Sequence, residues 1–94
     1  MSGDESPTPR PSRAFQVHAE AVREIVAFLR PKGEAGELDA EGRELAHEAA
    51  NLMAFYDGYL STKTEPPEED RRRVNARVFR LHVNVVSYRA KRGW

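Results

Sequence analysis

Residues 74–88 read Val74-Asn-Ala-Arg77-Val78-Phe79-Arg80-Leu81-His82-Val83-Asn84-Val85-Val86-Ser87-Tyr88. Two incompatible periodicities run through this stretch. Residues 79–85 alternate apolar and polar side chains and are rich in β-branched residues, which is a strand signal. Val74, Val78, Leu81, Val85 and Tyr88 instead step by 4, 3, 4 and 3, one face of a helix. No other segment supplies a strand partner, and a lone strand would leave its backbone N–H and C=O groups unpaired. The helical reading is therefore adopted, and a strand pairing across a dimer is its rival.

The same helical repeat occurs twice upstream. Phe15, His18, Val22, Ile25 and Leu29 share one face of a segment expected over 13–30, with Ser12 as N-cap and Pro31 and Gly33 as its end. Residues 31–37 read as a loop. Leu45, Ala49, Leu52, Tyr56 and Tyr59 share a face of a second helix over 39–61, capped by Asp39. Gly42 and Gly58 weaken its two ends by about 1 kcal/mol each relative to Ala. Pro66 and Pro67 open a third helix over 66–91, whose first turn is acidic and last turn basic, matching the helix dipole. The expected fold is an all-α, antiparallel three-helix bundle, able to form a larger bundle on dimerisation.

Residues 1–11 are mostly Pro, Ser, Asp and Glu, with nothing apolar to bury after Met1, and read as a disordered tail before a single domain over 12–94. That core is small, and the chain has no cysteine to staple it, so helix packing or oligomerisation must stabilise it. No apolar run is long enough to span a membrane and no signal-peptide core is present. The expectation is a soluble cytoplasmic protein without cofactor or metal.

Charge is sharply divided. Residues 71–94 hold eight bases and no acid; residues 1–70 hold seven bases and all fifteen acids. The formal net charge of zero is thus the cancellation of −8 and +8. Such a split fits either a basic surface for an acidic partner or acidic helices packed against a basic one.

On a helical wheel the third segment carries two apolar stripes. The first is Val74, Val78, Leu81, Val85 and Tyr88. The second is Phe79, Val83, Val86 and Ala90, about 150° round. Asn75, His82 and Arg89 lie between them. The combined arc, about 220°, exceeds what the surface helix of a monomer needs. Either this helix sits centrally and buries both stripes within one chain, or one stripe meets a second copy or another protein. The remaining face presents Arg73, Arg77, Arg80 and Lys91. These could track phosphates, face solvent, or pair with Glu20, Glu24, Glu44 and Glu48 on neighbouring helices.

Two short motifs bear on chemistry. Glu44-Leu-Ala-His47 has the Glu-x-x-His spacing of di-iron bundles, but such sites need two such units with further carboxylates. His47 is expected to face solvent. Arg77-Val-Phe-Arg-Leu-His82 resembles the Arg-x4-His motif of the HEPN class of helical ribonucleases, in which a dimer joins two motifs. The resemblance covers six residues, and Val78 stands where that family often has a polar residue. It implies His82 as general acid/base and Arg77 as stabiliser of developing negative charge. The residues themselves point to His82 as a partly buried histidine between the stripes. His18 reads as a hydrogen-bonded core histidine.

The functional expectation is a non-enzymatic interaction or adaptor module. Phe79, Val83, Val86, Arg73, Arg77, Arg80 and Lys91 form its partner surface, and the partner is a second copy or another protein. The alternatives are a nucleic-acid-binding regulator using the basic stripe, and the ribonuclease implied by Arg77 and His82.

Overall fold

Ser12 begins the described chain's first helix by accepting a hydrogen bond at Oγ from the Phe15 N–H, 3.1 Å away. The structure is a computed structural model that describes residues 11–94. The expectation for the tail lies outside the described residues, apart from Pro11. Three helices follow: α1 (Arg13–Glu34), α2 (Ala40–Ser61) and α3 (Glu68–Arg92). No strand occurs among the described residues, and 79–85 is helical throughout. α1 and α3 run parallel, with α2 antiparallel to both. Their buried faces meet along one axis: Phe15, Ala19, Val22, Ile25 and Leu29 from α1, Leu45, Ala49, Leu52 and Tyr56 from α2, and Val74, Val78, Leu81, Val85 and Tyr88 from α3.

Three details depart from expectation. α1 does not stop at Pro31 but continues one turn to Glu34. Pro31 removes the bond to the Ala27 carbonyl, yet Ala27 lies on the exposed face, where water can serve that oxygen. The helix ends where Gly36 turns left-handed, and the extra turn delivers Leu38 into the core. α3 starts at Glu68 rather than 66: Pro67 is its N-cap, at φ −54° and ψ 154°, and the residue before a proline is disfavoured from helical geometry. His18 is only half-buried and makes no hydrogen bond among the described residues; Ala19 fills that place in the core.

All three helices end in one backbone closure. Glu37 N–H donates to Lys32 O (2.8 Å) and Gly36 N–H to Gly33 O (3.1 Å). Thr64 N–H donates to Tyr59 O (3.0 Å) and Lys63 N–H to Leu60 O (3.1 Å). Trp94 N–H donates to Arg89 O (2.9 Å) and Gly93 N–H to Ala90 O (3.3 Å). Each is a Schellman motif, which needs one left-handed residue. Gly36 and Gly93 adopt φ 73° and 71°, but at the end of α2 a lysine, Lys63, takes φ 57°. A side chain there is strained. Lys63→Gly is expected to raise unfolding stability by about 1 kcal/mol in a urea titration. Lys63→Ala should not, and equal gains from both would show that no strain is stored there.

The two ends of the bundle are tied differently. At the lower end Glu65 accepts from the Ser12 N–H and pairs with Arg71 (3.2 Å), placing a carboxylate at the positive end of α1. Tyr56 is buried nearby against Phe15 (4.9 Å between centroids), and burial pushes its hydroxyl up to about 12. That hydroxyl has no hydrogen-bond partner among the described residues. At the upper end Trp94 packs edge-on to Phe28 and Tyr88, with the Lys32 ammonium 4.3 Å and the Arg92 guanidinium 4.5 Å from its ring centroid.

Candidate interaction face

α3 is amphipathic twice over. The wheel leaves open which stripe faces inward; the first one fills the core, with Val74, Val78, Leu81, Val85 and Tyr88 all buried. Its second stripe does not. Phe79 is 71% exposed, Val83 47% and Val86 55%, and Val17 of α1 is 54% exposed. The chain therefore does not bury both stripes of α3 within itself. Three large apolar side chains stand in line at i, i+4 and i+7 on a helix whose opposite face is already used.

The basic face is largely answered from α2 and from α3's own first turn. Arg77 donates through Nε (3.1 Å) and Nη2 (3.0 Å) to the two carboxylate oxygens of Glu48. Lys91 Nζ reaches both oxygens of Glu41 at 2.9 and 3.1 Å. Arg73 lies 3.5 Å from Asp70 and 3.7 Å from Glu69. Arg80 forms no ion pair among the described residues. Much of the divided charge is thus resolved by an acidic helix packed beside a basic one. Exposed pairs of this kind contribute little stability, about 0–1 kcal/mol each. They do set which charges remain available to a partner.

Two grooves flank α3. The groove toward α2, about 650 Å³, is lined by Glu44, His47, Glu48, Arg77 and Arg80 over a floor of Leu45 and Leu81. His47 is exposed but faces this groove. No three His, Asp or Glu side chains come together there or elsewhere among the described residues in a way that could hold a metal ion. The smaller groove toward α1, about 160 Å³, is lined by Ala21, Glu24, Phe28, His82, Val86 and Arg89 among others. Arg77 and His82 therefore face different grooves, as a separation of five residues requires (about 140° round the helix). Within one chain they cannot meet at a common reacting atom. His82 is exposed rather than partly buried between the stripes, because the second stripe is itself uncovered.

A polar clasp closes the upper end, where apolar periodicity carries no signal for it. Asp39 Oδ1 accepts from the Gly42 N–H (2.9 Å) and from the Tyr88 hydroxyl (2.8 Å), while Asp39 Oδ2 pairs with Arg92 (3.3 Å). Arg92 also donates to the Glu37 carbonyl (2.8 Å), so the clasp joins α3 to the α1–α2 turn. The Gly42 N–H, then the Tyr88 hydroxyl, then Arg92 hold the Asp39 carboxyl below its ordinary 3.8. Burial and the bond to Asp39 raise the Tyr88 hydroxyl above 10.0. A carboxylate depressed in the folded state contributes stability above its unfolded pKa, lost as pH falls through the folded value. The midpoint of thermal unfolding should therefore fall on acidification below the ordinary carboxylate range. The fall should be shallower in Asp39→Asn, and parallel curves for the two proteins would remove Asp39 from the acid response.

Comparison with models of protein families, with characterised proteins and with solved structures finds no match. Among the described residues no helix is long and apolar enough to cross a membrane.

Proposed function

We propose that this chain is a small, non-enzymatic docking module, an adaptor that binds protein through the exposed stripe of α3. The observation that carries the reading is the line Phe79, Val83 and Val86, left in solvent by a helix that has already filled its own core. Contiguous exposed apolar side chains rimmed by charge are the usual mark of a contact surface. Apolar anchors supply affinity, and the basic residues Arg73, Arg77, Arg80 and Lys91 would orient the partner. Three of those four are already engaged by carboxylates, so phosphates would have to displace Glu48, Glu41, Glu69 or Asp70. This disfavours nucleic acid as the principal ligand.

Salt separates the two ligand classes. Four phosphate contacts would weaken binding about a hundredfold between 50 and 200 mM salt, whereas apolar docking would change little. The expected result is association with protein that survives nuclease treatment and added salt and is lost in Phe79→Asp. Duplex binding tighter than about a micromolar at physiological salt, with a steep salt slope, would overturn the proposal, since non-specific binders are weaker than that.

A further inference from the structure

The exposed ridge of α3 runs between two unpaired bases. Phe79, Val83, Val86 and Ala90 step by 4, 3 and 4 along the outward face, about 16 Å in all. On one flank Arg80 lines the groove toward α2; on the other His82 and Arg89 line the groove toward α1. Neither arginine has a carboxylate partner among the described residues. Arg77 and Lys91, closer to α2, are by contrast held by Glu48 and Glu41. Arg89 is positioned by a ring instead. Its guanidinium lies 4.1 Å from the Phe28 centroid, and among the described residues only its Nε has an acceptor, the Trp94 carbonyl at 3.4 Å. From Arg71 onward the chain has no acid at all. Glu44 and Glu24 stand on the far walls of the two grooves, on α2 and α1.

We propose that α3 is the inserted element of a helix-in-groove contact, its ridge seated in an apolar groove of another protein whose two rims are acidic. The inference rests on the reading of the α3 stripe as a docking surface and names the chemistry of what covers it. Anchors at i, i+4 and i+7 have the spacing by which an amphipathic helix enters such a groove. A groove deep enough to cover Phe79 also closes over Arg80 and Arg89, and a charge taken out of water without a partner is costly. Carboxylates on both rims meet that need, and an uncharged groove does not. A second copy does not supply them. In this chain's own grooves basic side chains outnumber acidic ones: Arg43, Arg77 and Arg80 against Glu44 and Glu48 on one side, His82 and Arg89 against Glu24 on the other. The ridge of one copy in a groove of another would leave Arg80 and Arg89 facing more base than acid.

A displayed library of two-helix hairpins tests this chemistry, with groove positions limited to Leu and Ala and rim positions open to Glu, Gln and Lys in equal shares. Selected on the full chain, it should return binders in which Glu exceeds Lys at the rims about tenfold, since like charges across an interface are strongly disfavoured. Phe79→Asp should weaken these binders about thirtyfold or more. Arg80→Glu and Arg89→Glu should each weaken them about tenfold. Arg30→Glu, the same change at an exposed base outside both grooves, should leave them unaltered. Unchanged helical circular dichroism assigns each loss to the contact. Arg80→Glu breaks no ion pair among the described residues, so it keeps the test available should Arg89→Glu loosen the end of α3. Binders sensitive to Phe79→Asp but with Lys as frequent as Glu at the rims would overturn the acidic groove and spare the docking reading. A selection with no binder sensitive to Phe79→Asp would overturn both. A dimer mass in sedimentation at roughly tens of micromolar, abolished by Phe79→Asp, would put a second copy in the partner's place. Sedimentation with vesicles of phosphatidylserine and phosphatidylcholine in equal parts, if it carried the chain down through Phe79, would put a lipid surface there instead.

Discussion

Val85→Asp is expected to unfold the chain at room temperature, whereas Val83→Asp, two residues away, should leave the helices formed. Val85 is 5% exposed and Val83 47%. At 85 the substitution loses the transfer energy of a buried valine, about 1.5–3 kcal/mol, and places a carboxyl among Ile25, Leu81 and the rest of the apolar core. No cation reaches that interior: no polar or charged residue is buried among the described residues. An unpaired carboxylate there costs several kcal/mol more or must bind a proton. A single core of this size supplies only about 3–5 kcal/mol of net stability, so the change exceeds it. At 83 the same carboxylate stays in water and disturbs only the docking face. Far-UV circular dichroism at neutral pH gives the answer directly. A Val85→Asp chain that stays helical and melts like the parent would mean that α3 does not present this stripe to α1 and α2.

Gly42→Ala is expected to lose about 2–3 kcal/mol, an overpacking cost, against the ordinary preference of helices for alanine. A Cβ built at Gly42 would lie 2.8 Å from Tyr88 Cζ and 2.9 Å from Leu38 Cδ2. Tyr88 is fully buried and bonded to Asp39, so it cannot retreat without breaking the clasp. Gly58 in the same helix is the internal control: a Cβ there meets nothing within 4 Å. Gly58→Ala should therefore stabilise by up to about 1 kcal/mol. Opposite signs for the two substitutions in urea titrations are the expected result. Equal signs would mean that Tyr88 does not pack over Gly42.

These two sites also mark what the sequence could and could not convey. The inward stripe of α3 was legible because burial on a helix repeats every three or four residues, and five positions agreed. Its outward stripe was equally legible as apolar, but periodicity alone does not say whether α1 and α2 cover it. Gly42 reads as a weak helix position because propensity concerns its own backbone; the ring above it arrives from α3, forty-six residues along the chain. Pro31 reads as a terminator on the same local grounds, and the true end is dictated by Gly36 and by Leu38's place in the core. The partners of Arg77 and Lys91 are Glu48 and Glu41, of which only Glu48 was anticipated. Which acids face α3 depends on how α2 is rotated in the bundle, and its spacing of apolar residues leaves that rotation loosely determined.

The aromatic cap over the upper end has an optical consequence. Trp94 is the only tryptophan in the chain, and it touches α1 and α3 at a single level. With two cations against its ring, its emission depends on a geometry that exists only while that end is shut. Far-UV ellipticity, in contrast, averages over all three helices. The two signals viewed together separate fraying of one end from collapse of the whole. If the clasp opens before the helices melt, fluorescence will change at a lower temperature than ellipticity, and the molecule will have announced a local opening without any label attached.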